Sequence, residues 1–201
     1  MRRLIFPIAL LITLFFAPGT SQAADLTDGA LGIPWGASQV QARQIMEQNG
    51  YTYYTETVDA NDRSPMIFYK GMYASYRAQV GIKFARNQMF EVKVELWEAD
   101  NFAPPDGPFR VLNRLLTEKY GPWTRDTSRS MPVQCSPRLK YSVLYTTYQW
   151  DNVGAAGLEI KLLMHPKFSC PSDFSWDGEV NVFYRNNELY EKLKAQSQQN
   201  I

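Results

Sequence analysis

The stretch VGIKFARNQMFEVKVELWE, residues 80–98, decides how the rest of the chain folds. Val80, Ile82 and Phe84 alternate with smaller or polar residues. After a break, Phe90, Val92, Val94 and Leu96 alternate with Glu91, Lys93, Glu95 and Trp97. A period of two marks a strand with one buried face, so the two runs predict an antiparallel hairpin that is wet on one side. For both apolar sets to share a face, paired positions must sum to an even number. This sets Phe84 opposite Phe90 and Lys83 opposite Glu91. The register leaves Arg86-Asn87-Gln88 as a three-residue loop, with Asn87 or Gln88 left-handed. It also makes Lys83 and Glu91 a favourable pair on the solvated face.

Toward the N-terminus, Arg2 and Arg3 precede a run of 13 residues from Leu4 to Phe16. Ala17-Pro18-Gly19 breaks the run, and Ser21-Gln22-Ala23 supplies small residues at a cleavage site. Residues 1–23 therefore read as a secretory signal peptide, cut after Ala23 or Ala24. A membrane anchor needs about 20 apolar residues, and no cysteine lies near the site to carry a lipid. The expected location is periplasmic or secreted, with no stable membrane insertion after cleavage. Losing Arg2 and Arg3 leaves 19 basic against 20 acidic residues, a net charge of −1. A nearly neutral chain without basic runs has no electrostatic footprint for nucleic acid or anionic lipid.

Ser38 is a good helix N-cap, Gln41 can close a capping box, and Asn49-Gly50 stops the helix. The Gly-containing turn before it, GIPWGAS, has neither the spacing nor the lysine of a phosphate-binding loop, and reads as a structural turn. Strands are predicted over 51–58 and 66–70. Residues 99–108, ADNFAPPDGP, then mark a boundary that neither element type crosses. Beyond it, Phe109, Leu112, Leu115, Leu116 and Tyr120 share one face of a helix that ends at Gly121-Pro122. Three strands follow, carrying Leu144 to Trp150, Leu158 to Met164 and Val180 to Tyr184, and a helix over 187–196 closes the chain. The fold class is α+β: two α-then-antiparallel-β units in tandem, residues 24–103 and 104–201, consistent with a duplication. Helices are expected on one face of antiparallel sheet.

GIPWGASQVQARQIM before Gly50-Tyr51, the IKF…FEVKV hairpin, and LLTEKYGPW before a Trp-ended strand resemble a plan found in small bacterial periplasmic proteins of unknown function. At the level of fold the plan is similar to tandem β-lactamase-inhibitor proteins and the small BamE-type outer-membrane assembly lipoprotein. The chain departs from the lipoprotein in having no lipid-anchor cysteine. The resemblance implies a non-enzymatic binding role and carries over no site residues.

Residues that could do chemistry are few. His165 is the only histidine, placed between Met164 and Pro166 at a strand end, so no second histidine can join it on a metal. No GxSxG supplies a nucleophile elbow. Glu95, Glu98 and Asp100 could do acid–base work, but Glu91 and Glu95 read as the solvated side of a strand. No catalytic residue, metal ligand or cofactor is assigned. Cys135 and Cys170 are expected to form a disulfide in an exported chain. Tyr51, Tyr53, Tyr54, Tyr69, Tyr73 and Tyr76 crowd the first unit, and one face of a small sheet does not need them all; the candidates for a surface are Tyr51, Tyr53, Tyr69, Tyr73 and Tyr76. These five mark either the core and the seam between units or a surface for a protein partner in the cell envelope. The function expected is that of an exported binding protein, inhibitor-like or assembly-factor-like. The alternative is a small-ligand carrier, or a hydrolase using carboxylates, which requires a concave site with convergent polar groups.

Overall fold

The computed structural model describes residues 29–60, 62–96, 106–136, 139–154, 157–168 and 176–198. The signal peptide and Cys170 lie outside them, as does most of the boundary segment. The first half contains β1 (Gly29–Ala30), β2 (Ile33–Pro34), α1 (Gln39–Gln48), β3 (Thr52–Val58), β4 (Pro65–Tyr73), β5 (Tyr76–Ala85) and β6 (Gln88–Leu96). The second contains α2 (Asp106–Tyr120), β7 (Arg125–Asp126), β8 (Arg129–Ser136), β9 (Leu139–Val153), β10 (Leu158–Phe168), β11 (Trp176–Asn186) and α3 (Asn187–Gln198). Each half lays down a helix and then an antiparallel meander. The last strands of the two meanders pair with each other, Val94 opposite Val182. The result is one nine-stranded antiparallel sheet in the order β3-β4-β5-β6-β11-β10-β9-β7, with β8 also on β9. β1 and β2 form a separate small ladder.

The hairpin keeps the predicted faces but not the predicted tip. Lys83 pairs with Glu91 and Ile82 with Val92, as face parity requires, whereas Phe84 pairs with Met89 and Ala85 with Gln88. The turn is Arg86-Asn87, both with positive φ (49° and 61°), the conformation that matches the twist of two-residue hairpins. A two-residue turn puts the strands out of step, and a bulge at Phe90 restores it. Met89 and Phe90 are consequently both fully buried.

α1 begins as its sequence dictates. The Ser38 side chain accepts from the Gln41 backbone, Gln41 returns a bond to the Ser38 N–H at 2.9 Å, and Asn49 caps the end. α2 starts at Asp106, inside the segment read as a boundary. Gly107-Pro108 forms its first turn, where a missing N–H costs no helical hydrogen bond. Ala42 and Met46 of α1 join Phe109, Leu112 and Leu116 of α2 in one core, together with Ile82, Val92, Val94, Ile160 and Val182 of the sheet. These two helices therefore share a face. α3 departs from the expectation of helices on one face: Tyr190 lies 5.0 Å from Phe90 and 5.0 Å from the Arg185 guanidinium, at the end of the opposite face.

Candidate functional site

The face turned away from α1 and α2 carries a groove of about 650 Å³ across β3, β4, β5, β6, β11 and β10. Strand pairing organises it into rows. The first runs Lys83, Glu91, Arg185, Glu159, with charge alternating from strand to strand. The second runs Gly81, Lys93, Phe183, Lys161, and the third Gln79, Glu95, Asn181, Leu163. Met66 and Phe68 of β4 complete the apolar floor. Gly81 is needed where it stands: a Cβ there would lie 3.0 Å from the Phe68 ring and 3.2 Å from Met66 Sδ.

Lys83 and Glu91 of the first row are desolvated, which corrects their reading as a wet pair. Lys83 is 8% exposed and Glu91 6%. Lys83 Nζ lies 2.8 Å from Asp59, 3.3 Å from Asp62 and 3.6 Å from Glu91. Arg185 donates to Glu91 through Nε at 2.6 Å and again through its other nitrogen. Burial works to lower the Lys83 ammonium, but the hydrogen bond to Asp59 and the charges of Glu91, Asp62 and Asp59 outweigh it and raise it. At Arg185 burial is likewise outweighed by Glu91, with Glu159 adding to it. For Asp62 burial acts upward, yet hydrogen bonds from Ser64 and the nearby Lys83 hold its carboxyl below the ordinary value.

The second row is more open. Lys93 and Lys161 flank the Phe183 ring, each bridged to a carboxylate on its own strand: Lys93 to Glu95 at 2.9 Å, and Lys161 to Glu159. Gln149 of β9 donates to Glu159 at 2.9 Å. In the third row Asn181 is 3% exposed, and its Oδ1 has no hydrogen-bond partner. The groove thus joins four cationic and several anionic groups in local pairs around an aromatic centre, without a net field of either sign.

The five tyrosines do not form one surface. Tyr69 is fully buried, and Tyr51 is buried with its hydroxyl donating to the Met72 carbonyl at 2.7 Å. Both fall on the face that α1 covers, which takes them off any partner surface. Tyr73 and Tyr76 are half-buried; Tyr73 bonds Tyr184 through their hydroxyls at 2.5 Å, linking the two halves. Only Tyr53 of the five is well exposed, at 44%. Its exposed neighbour is Tyr54, with Lys70 Nζ 3.5 Å above its ring. His165 sits within β10 opposite Glu179 rather than at a strand end. Cys135 lies in β8; its expected partner Cys170 is outside the described residues.

Among the described residues no group of histidine, cysteine and acidic side chains is placed to hold a metal ion. None of their helices is long and apolar enough to cross a membrane. No protein-family model, curated protein or solved structure matches the chain.

Proposed function

We propose that the protein is an exported, non-catalytic binding protein that holds a protein partner of the cell envelope in the groove on the open face of its sheet. The observation that carries this reading is the second row, where Phe183 lies between Lys93 and Lys161, with Leu163 on the neighbouring β10 and Phe68 and Met66 across the groove on β4. An aromatic centre with a rim of polar pairs is the anatomy of a protein-binding hot spot. The local pairing of charge suits a partner of mixed polarity rather than a strongly charged ligand. The shared helix-then-meander plan of the two halves is what duplication of one ancestral unit would leave, and joining them by their last strands places the groove across the junction.

A photo-crosslinking residue in place of Phe183 should give a discrete protein adduct from envelope extract. The same probe in place of Trp123 or Leu144, exposed residues away from the groove, should give none. Adducts from the outer positions alone would defeat the assignment. A second reading, a carrier of a small polar ligand, is favoured by the groove volume, which lies within the range of small-molecule sites. Native mass spectrometry that finds a small molecule retained at one equivalent would decide for the carrier.

A further inference from the structure

Among the described residues β3 ends the sheet: it pairs with β4, and all seven of its residues are exposed. Tyr53, Tyr54 and Val58 are 44%, 52% and 58% exposed. Free edges are commonly guarded by lysine or proline; β3 carries one charge, Glu56, and no proline. Its pairing with β4 slips between Tyr53 and Thr55, so that Tyr54 is an extra residue. Face assignments follow from this bulge. Tyr53 belongs to the helix face, where it meets Tyr69 edge-on at 6.2 Å and carries Arg43 of α1 at 5.1 Å. Glu56, opposite the buried Ile67, belongs to the same face. Tyr54, under Lys70, and Thr55 and Thr57, opposite Phe68 and Met66, belong to the groove face.

We propose that this edge is occupied by β3 of a second copy of the chain, antiparallel, with the two-fold axis between Tyr54 and Thr55. An ordinary strand that matched faces before the bulge would be out of step after it. A strand with the same extra residue stays in step throughout. In this register Tyr53 faces Glu56 of the second copy, Thr52 faces its Thr57, and Tyr54 faces its Thr55, each pair on one face. The charges agree with the faces. Arg43 lies over Tyr53, so Glu56 of the second copy is brought to a guanidinium, and symmetry makes the contact twice. Glu47, one turn beyond Arg43 on α1, can share it, since a guanidinium has five donors. Pairing joins two nine-stranded sheets edge to edge and covers Tyr53, Tyr54 and Val58.

Sedimentation of the purified protein over a dilution series should show a reversible dimer. Glu56→Arg and Arg43→Glu should each raise its dissociation constant at least about tenfold, because each turns two attractions into repulsions. The double variant, which exchanges the charges, should restore dimerisation. Both side chains are exposed, so at a concentration where the parent is monomeric the melting temperatures of all three variants should stay close to that of the parent. A monomer at every concentration overturns the proposal, as does a dimer indifferent to both charges or one that the exchange fails to rescue. Crosslinking at Phe183 does not depend on the outcome, so the two readings fail separately.

Discussion

Replacing Glu91 by Gln tests whether the first row of the groove is desolvated. The substitution keeps the shape and removes one charge from between Lys83, at 3.6 Å, and Arg185, whose Nε donates at 2.6 Å. Removing one member of a buried ion pair costs about 3–5 kcal/mol, because the other is left uncompensated. Two features reduce that figure here. Lys83 keeps Asp59 and Asp62, and the Arg185 side chain is one-third exposed, so water can solvate it. About 2–3 kcal/mol remains, which in a domain of this size lowers the melting temperature by about 5–10 °C. Urea denaturation should show the midpoint falling with an unchanged slope. Glu95→Gln is the control: Glu95 is one-quarter exposed and bridged to Lys93 on its own strand, so its loss should cost below about 1 kcal/mol. If the two variants cost the same, the row is solvated and the argument from burial fails.

Three further outcomes are expected. Burial, with some repulsion from Tyr73, pushes the Tyr51 hydroxyl from 10.0 up to about 12, and burial also raises Tyr73 and Tyr184. A raised folded-state value gives stability that is complete below pH 10 and lost as pH rises toward 12. Tyr51 alone accounts for about 3 kcal/mol of that loss, so tyrosinate absorbance should reach its full value only together with unfolding, and complete ionisation of the tyrosines in the folded protein would contradict the burial. Gly71→Ala should cost about 1–3 kcal/mol by overpacking, since a Cβ would stand 2.4 Å from the Tyr51 ring, which its bond to Met72 holds in place; thermal melts check this. Ser75→Gly should instead stabilise by up to about 1 kcal/mol, because the Ala74-Ser75 turn holds both residues at positive φ (48° and 70°), and an unchanged urea midpoint would show that the strain is absent.

The faces of the sheet were legible in the sequence and its depth was not. Alternation over 80–96 correctly sends Ile82, Val92 and Val94 to the core and Lys83, Glu91 and Lys93 to the other side. It cannot show that Arg185, 94 residues beyond Glu91, closes over that carboxylate, because nothing local specifies that β6 pairs with β11. The hairpin tip illustrates a different limit. A three-residue loop and a two-residue turn with a bulge satisfy face parity equally, and backbone twist at Arg86-Asn87 selects the second. For the tyrosines, crowding signalled that one face was too small for them. Which ones leave it depends on where α1 lies, and on the slip at Tyr54 that sends it to the groove face beside Lys70.

On the proposed function, the rows of the groove divide the work between stability and recognition. In the first, Lys83 and Glu91 are about nine-tenths covered, and their contacts tie β5, β6 and β11 to Asp59 and Asp62. A partner cannot reach these charges without breaking pairs that already satisfy one another, so this row serves the stability of the sheet. In the second row the Lys93 and Lys161 side chains are 30% and 37% exposed. Each has its anion only two residues away on the same strand, an arrangement that leaves both ammonium groups accessible at the rim. Binding energy should therefore concentrate at Phe183, whose ring a partner can cover without separating any buried pair. Electrostatics at the two lysines would orient that partner more than hold it. Substitutions along the first row should then change stability and leave binding proportional to the folded fraction, while Phe183→Ala should weaken binding in a protein that melts close to the parent temperature.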